Sequence, residues 1–128
     1  MQVDQDLTRA LNCRGCYVAI ETNGTLHLPG FIDWIAVSPK PPSYTVDIDP
    51  LPSRVIDELR YVRTIGQGIP EDPPDADHYF ISPAWAGCSY GNIEERLDQA
   101  VLDHCIQLVR DNPPWRLSVQ QHKIWRVR

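Results

Sequence analysis

Proline clusters limit the length of every helix and strand that this chain can form. Most of its twelve prolines stand in three groups, namely Pro39, Pro41 and Pro42, then Pro50 and Pro52, then Pro70, Pro73 and Pro74. Because proline fixes φ and lacks a backbone N–H, it interrupts helices and central strands alike. The sequence therefore predicts short elements joined by stiff, extended loops.

Apolar periodicity assigns most of these elements. Val3, Leu7, Ala10 and Leu11 recur at helical spacing, and Gly15 is expected to end that helix. Four compact β-prone runs are predicted strands: Tyr17–Glu21, Trp34–Ser38, His78–Ser82 and Trp115–Val119. Runs that are apolar throughout suggest strands buried on both faces, as in a parallel sheet.

The remaining segments carry mixed or loop-like signals, with one exception. Ile56–Ile65 fits a helix or a strand, and a strand is favoured over its second half. Pro41–Pro52 and the acidic stretch Pro70–Asp77 are predicted loops. The exception is Ile93–Asn112, which has a continuous apolar stripe, an N-cap at Asn92, a capping-box partner at Glu95 and a stop at Pro113-Pro114.

These elements follow one another as helix, three strands, a further strand, long helix and strand. That order predicts an α/β fold with a mostly parallel sheet, formed by residues 1–128 as a single domain. His104 lies on the apolar face of the long helix and is interpreted as a core residue.

Charge and hydropathy argue against nucleic-acid-binding and membrane-associated functions. The net charge is −5, which argues against a general nucleic-acid or membrane-surface binder, because such proteins need an excess of cations. No apolar run approaches the ~20 residues that cross a bilayer. The N-terminus lacks a basic-then-apolar signal pattern, so we expect a soluble, cytoplasmic protein.

Cys13 and Cys16 form a C-x2-C pair, which is half of a zinc or cluster site. Cys88 and Cys105 are too far apart to supply the second pair, so the sequence predicts two buried or half-buried structural thiols. The loop acids, among them Asp47 and Asp49, lack the glycine and the bidentate glutamate of a calcium loop. No metal site is predicted.

Polar residues follow the predicted strands, where open α/β sheets place their ligands. Ser38-Pro39-Lys40 ends one strand, although a simple strand-ending turn is the alternative. Glu21 ends another and could exchange a proton or hold a substrate, or it could be a solvated carboxylate. His122 lies in a basic C-terminal segment suited to an anionic ligand, with an exposed tail as the alternative.

Three segments in this order and spacing resemble one family. They are Glu21–Thr25 (ETNGT), Ile32–Lys40 (IDWIAVSPK) and Trp115–Lys123 (WRLSVQQHK), and together they resemble the 7-carboxy-7-deazaguanine synthases. Tyr79–Pro83 stands where that family has a strand ending in a polar residue and proline. The resemblance covers nearly the whole chain. It implies half of a radical-SAM β/α barrel, a partial barrel with mostly parallel strands.

The resemblance implies a site as well as a fold. The residues expected to bind S-adenosylmethionine are Ser38, Pro39, Lys40, Ser82, Pro83, Ala84 and Trp85. The residues expected to bind the substrate are Glu21, Thr22, Asn23, His122 and Arg128. In this family the substrate is 6-carboxytetrahydropterin, a pterin-like carboxylate, and the reaction is a lyase-type ring contraction toward queuosine and other deazapurines. At Ser82 the family more often has Gln, and no residue is assigned a catalytic role.

The chain lacks the family's Cys-x3-Cys-x2-Cys and Gly-Gly-Glu-Pro motifs. The [4Fe–4S] cluster and Mg²⁺ are therefore expected only in a half of the enzyme that this sequence does not contain, and the chain is expected to be inactive alone. The alternative is a non-catalytic ligand-binding or protein-interaction module. Both the enzyme half and the non-catalytic module would be expected to form a homodimer or to pair with a separate N-terminal half, because a half-barrel exposes sheet edges and apolar surface.

Overall fold

The structure, a computed structural model, describes residues 3–41, 46, 56–86 and 96–124. Its elements in chain order are α1 (Gln5–Asn12), β1 (Ala19–Thr22), β2 (Trp34–Val37), β3 (Ile56–Arg63), β4 (Ala76–Pro83), β5 (Trp85–Ala86), β6 (Arg96–Leu97), α2 (Gln99–Asp111), β7 (Arg116–Leu117) and α3 (Gln121–Ile124). Within this part of the chain, five parallel strands form one sheet in the order β1-β2-β3-β4-β7. The predicted α/β class and mostly parallel sheet are confirmed.

The chain forms two compact units, and the first comprises Met1–Arg60 with Pro74–His78. In this unit β1 and β2 pair in parallel from Ala19↔Trp34 to Thr22↔Val37. Ile35, Val37 and Leu59 are buried, and they provide the apolar contacts that fix β2 against its neighbour β3. A carboxylate also accepts a main-chain N–H at the start of β1, where the donor is Val18 and the acceptor is Asp33 Oδ2 at 2.7 Å.

Helix α1 forms where its spacing predicted, but a different face is buried. Asp4 caps its N-terminus by accepting the N–H of Leu7 at 2.8 Å. The fully buried residue is Thr8, whose hydroxyl donates to the carbonyl of Gly30 at 2.8 Å. Leu7 and Leu11 are exposed. The apolar stripe therefore identified the helix and not its contact with the rest of the unit.

The second unit comprises Tyr61–Pro73 and Tyr79–Arg128, and α2 packs in it against β7. Val101 and Cys105 are the buried residues of α2. The ring of Trp115 lies 5.1 Å from that of Tyr79 and 6.1 Å from that of Tyr61. These aromatic contacts link β3 and β4 to the start of β7.

The start of the long helix was predicted wrongly. It begins at Gln99, and Asp98 is the N-cap because its carboxylate accepts the N–H of Ala100 at 2.8 Å. Arg96 and Leu97, which were expected inside the helix, form β6 and pair antiparallel with β5. The expected cap and capping-box residues, Asn92 and Glu95, lie outside the described residues. The predicted end at Asn112 is confirmed.

Three strand predictions need smaller corrections. Strand β3 begins at Ile56, so the whole first half of the ambiguous segment is strand, with Leu59, Tyr61 and Arg63 buried at alternate positions. Strand β4 begins at Ala76, two residues after the last proline of the predicted loop. Strand β7 is limited to Arg116–Leu117, and α3 follows in what was predicted to be a basic tail.

Two further predictions concern the burial of β1 and the loop Pro41–Pro52. Burial on both faces does not hold for β1, since Ala19 and Glu21 are exposed. Most of the predicted loop Pro41–Pro52 lies outside the described residues.

Candidate functional site

The carboxyl ends of β1 and β2 bring two of the sequence motifs together in the first unit. Thr22 is the Cα partner of Val37, and the N–H of Ser38 donates to the carbonyl of Thr22 at 2.7 Å. Glu21-Thr22-Asn23 and Ser38-Pro39-Lys40 therefore leave neighbouring parallel strands side by side. This is the position in which open parallel sheets bind their ligands.

Side-chain hydrogen bonds shape the turn after β1. Thr22 Oγ1 accepts the N–H of Gly24 at 3.1 Å, and Asn23 Oδ1 accepts the N–H of Thr25 at 3.2 Å. Gly24 has φ +77° and a Cβ added there would meet Val37 Cγ1 at 3.0 Å. Only glycine satisfies both the left-handed backbone and this close approach to β2. The Asn-Gly pair thus fixes the backbone exit of β1 beside β2.

The segment after β2 presents a hydroxyl and an ammonium group. Pro39 is fully buried, whereas Lys40 is exposed. Lys40 Nζ donates to Ser38 Oγ at 3.1 Å, which holds the two polar groups together. The buried proline anchors the segment, and the Lys40 ammonium remains accessible to an anionic group.

Glu21 shares its face of the sheet with a charged network that the sequence analysis missed. The register Glu21↔Ala36↔Glu58 places these residues across three strands. Arg60 Nη2 lies 2.8 Å from Glu58 Oε2, and Arg60 Nη1 lies 4.0 Å from Glu21 Oε1. Trp34 Nε1 donates to Glu58 Oε1 at 3.2 Å. The side chain of Glu21 is 83% exposed, so its carboxylate is accessible while Arg60 lies beside it.

The Glu58–Arg60 part of this network could have been predicted from the sequence. Glu58 and Arg60 are two residues apart in a strand, and residues at that spacing share one face. The sequence could not supply the register that aligns them with Glu21, because β1 and β3 are joined only through β2.

In the second unit, the predicted cofactor segment Ser82–Trp85 includes a buried polar group. Ser82 is 5% exposed, and its Oγ has no hydrogen-bond partner within the described part of the chain. Pro83 is buried, and the N–H of Ala84 donates to the carbonyl of Arg63 at 2.8 Å. Trp85 begins β5. A buried hydroxyl without a partner is costly, and such atoms often mark a place where a ligand or water completes the bonding.

Comparison with known proteins decides the family. Proteins named 7-carboxy-7-deazaguanine synthase are 34% identical to this chain over 125 residues in Bordetella pertussis, 34% over 130 residues in Bradyrhizobium diazoefficiens and 36% over 127 residues in Bacteroides thetaiotaomicron. These alignments cover 96%, 100% and 98% of the chain. The chain belongs to the 7-carboxy-7-deazaguanine synthase family. No family model matches it.

The same alignments cover 52%, 55% and 59% of the three synthases. The chain therefore spans about half the length of the curated relatives that it matches. This agrees with the prediction that it corresponds to the C-terminal half of such a synthase.

The remaining predicted site residues of this synthase-family chain are only partly described. His122 lies in α3, but its side chain and the whole of Arg128 lie outside the described residues. Among the described residues, no group of three or more His, Cys, Asp or Glu side chains could hold a metal ion. In the same residues, no helix is long and apolar enough to cross a membrane.

Two predictions about single side chains are wrong. Cys13 and Cys16 are exposed, not buried, because they lie in the turn after α1 rather than in an element that packs. His104 is half-buried and outside the core, where its Nε2 lies 2.9 Å from the carbonyl oxygen of Gln67. The buried ionisable group of α2 is Cys105, whose pKa is raised by desolvation and partly lowered by the positive charge of Arg63.

Proposed function

We propose that this chain is the S-adenosylmethionine- and substrate-binding portion of a 7-carboxy-7-deazaguanine synthase. The observation that supports this most is the hydrogen bond between Ser38 N–H and Thr22 O, which joins the two motifs expected to contact cofactor and substrate. We further propose that the parallel sheet is half of the family's partial barrel. The face that carries Glu21 and Arg60 would be the interior face.

The polar groups of the two predicted cofactor segments suit S-adenosylmethionine. Ser38 Oγ, held beside Lys40 Nζ, would hydrogen-bond a ribose hydroxyl. In the second unit, Ser82 Oγ is buried and has no hydrogen-bond partner among the described residues, which favours a bound ligand there. The Lys40 ammonium would pair with the cofactor carboxylate. When bound beside a [4Fe–4S] cluster, S-adenosylmethionine supplies the radical that starts the reaction of this family.

For the substrate, we propose that Glu21 hydrogen-bonds the pterin ring, with Thr22 and Asn23 beside it. Arg60 lies 4.0 Å from the Glu21 carboxylate and places a positive charge beside it, while Glu58 anchors Arg60 from the other side. His122 and Arg128 remain proposed ligands for the substrate carboxylate. A cation is the natural partner for that group.

We propose that the chain alone is catalytically inactive. Its sequence contains neither a Cys-x3-Cys-x2-Cys nor a Gly-Gly-Glu-Pro motif, so no cluster is available to deliver an electron to the sulfonium. The second candidate, a non-catalytic module that dimerises or pairs with a separate N-terminal half, is favoured by the coverage of about half of each relative. In that case ligand binding could be retained or lost without affecting association.

A titration of ¹⁵N-labelled chain with S-adenosylmethionine, followed by NMR, tests the binding proposal. We expect saturable shifts of the amides of Thr22, Ser38, Lys40 and Ser82. Lys40→Ala should weaken the affinity at least about tenfold, as expected for loss of one charge-assisted hydrogen bond of about 1.5–3 kcal/mol. Arg110→Ala, at the exposed end of α2, is the matched loss of a cation and should leave affinity unchanged.

Shifts confined to other residues, or no shifts at millimolar ligand, would contradict the binding proposal and favour the module. An anaerobic assay of the chain with S-adenosylmethionine, a reductant and 6-carboxytetrahydropterin tests inactivity separately. We expect no 5′-deoxyadenosine above a blank without protein. Turnover by the chain alone would overturn that part of the proposal.

A further inference from the structure

The turn that follows α1 exposes two thiols at zinc-ligand spacing. Cys13 is the C-cap residue of α1, and Cys16 follows after two intervening residues. The N–H of Cys16 donates to the carbonyl of Leu11 at 3.1 Å, and that of Gly15 to Asn12 at 2.9 Å. These bonds, with Gly15 at φ +77°, close the helix with a tight reversal of the chain. Both thiols are exposed, so neither serves the packing of the unit.

The pair cannot complete a metal site from the described part of its own chain. Structural zinc sites have four ligands, commonly two C-x2–4-C pairs of thiolates. Within the described residues, no third His, Cys, Asp or Glu side chain joins a metal-binding group. Cys105 is fully buried in the second unit and bonds to Arg63 O at 3.8 Å. A second pair from another molecule would complete the four ligands.

Three exposed apolar side chains lie in the same segment as the pair and favour a second copy of the chain as that molecule. Leu7 is 46% exposed, Leu11 36% and Tyr17 69%. Leu11 accepts the bond that closes the turn, and Tyr17 directly follows Cys16. In a two-fold dimer the same patch meets itself, so a second copy would supply both an identical thiol pair and an apolar cover.

We propose that two copies of this chain bind one Zn²⁺ through four thiolates, Cys13 and Cys16 from each copy. Arg14 lies between the cysteines and is exposed, so its positive charge would offset part of the negative charge of a tetrathiolate site. The turn precedes β1, whereas Glu21 and Thr22 end it, so this metal site is separate from the proposed ligand site. It would act as a structural link between copies.

Cobalt titration of the reduced, metal-free chain under anaerobic conditions tests the site. We expect the visible bands of tetrahedral tetrathiolate Co²⁺, saturating at one metal per two chains, and displacement by Zn²⁺. Light scattering should show the mass rising from 14.6 kDa, that of one chain, to twice that value. Cys13→Ser and Cys16→Ser should each abolish both changes, with unaltered circular dichroism as the check on folding.

Matched variants separate this site from the other thiols. Cys105→Ser and Cys88→Ser should bind as the unaltered chain does, and Leu11→Ser should weaken metal-dependent dimerisation at least tenfold while keeping all four thiols. Binding of one metal per monomer, no binding, or loss of binding in Cys88→Ser would each overturn the proposal. Uptake of an iron–sulfur chromophore in place of zinc after anaerobic reconstitution would also overturn it.

Discussion

The N–H of Ser38 donates a 2.7 Å hydrogen bond to the carbonyl oxygen of Thr22, at the point where β2 and β1 both end. The bond extends the β1–β2 ladder by one residue into the segment that carries Lys40. It therefore fixes the distance between two motifs that lie far apart in the sequence. The turn at Gly24 makes this arrangement possible, because it takes the chain out of β1 without obstructing β2.

Gly24→Ala should cost more stability than Gly15→Ala. Both glycines have φ +77°, which costs an L-residue about 1–2 kcal/mol. At Gly24 an added Cβ would also meet Val37 at 3.0 Å and Val46 at 3.2 Å, whereas Gly15 has nothing within 4 Å. Overpacking adds about 1–3 kcal/mol. Urea unfolding of the two variants measures the difference, and equal losses would show that Val37 and Val46 give way.

Glu58→Gln should weaken the network beside Glu21 while retaining the bond from Trp34. The glutamine oxygen can still accept the indole N–H, but the 2.8 Å ion pair with Arg60 becomes a neutral contact. Since the pair is only about a quarter exposed, we expect a loss of roughly 1 kcal/mol in unfolding free energy, with solvent screening keeping it small.

A double-mutant cycle with Arg60→Gln isolates the pair. The two single variants should lose stability, and the double variant should lose less than their sum. Additive losses would contradict a direct interaction between the two charges. Glu21, at 4.0 Å and 83% exposed, should show no measurable coupling to Arg60 in the same assay.

Asp98→Ala should destabilise α2 by about 1 kcal/mol, because it leaves the N–H of Ala100 without its carboxylate acceptor. Asp98→Ser keeps a capping oxygen and is the matched control, which should lose only a few tenths of a kcal/mol. Thermal unfolding of the two variants compares them. Equal stability of Asp98→Ala and the unaltered chain would argue that the helix begins elsewhere.

Helices α1 and α2 show what the sequence alone could and could not predict. Apolar periodicity correctly found α1 and the body of α2. It extended α2 past its true start because Ile93 and Leu97 continue the stripe, whereas the start depends on whether Leu97 pairs with Trp85 in a strand. That pairing is a long-range contact, and no local pattern reports it.

The candidate site, too, could be predicted only in part from the sequence. The motifs at Glu21–Asn23 and Ser38–Lys40 could be predicted as strand ends, because apolar runs that stop at polar residues are visible in one dimension. The Arg60–Glu58 pair and the buried hydroxyl of Ser82 depend on register and on packing around β4. Exposure of Cys13 and Cys16 was also missed, since a C-x2-C spacing carries no information about burial.

Cys105 should make the stability of the chain decrease at alkaline pH. Burial raises the pKa of its thiol, and the charge of Arg63 offsets only part of this effect. In the unfolded chain a cysteine ionises near its ordinary pKa of about 8.5. Above that pH the unfolded state loses a proton that the folded state keeps, so the free energy of unfolding falls until the folded thiol also ionises.

The stability that the protonated Cys105 thiol contributes is therefore fully present below the ordinary cysteine pKa. It is lost as the pH rises toward the raised pKa of the folded state. Urea unfolding of the chain and of Cys105→Ala across this range measures it. Plotted against pH, the free energies of unfolding of the two proteins should run parallel near neutral pH and should converge as the pH increases. Val101→Ala, a buried change on the same helix without a titratable group, should stay parallel to the unaltered chain throughout. Curves for Cys105→Ala that also stay parallel would show that the thiol ionises alike in both states.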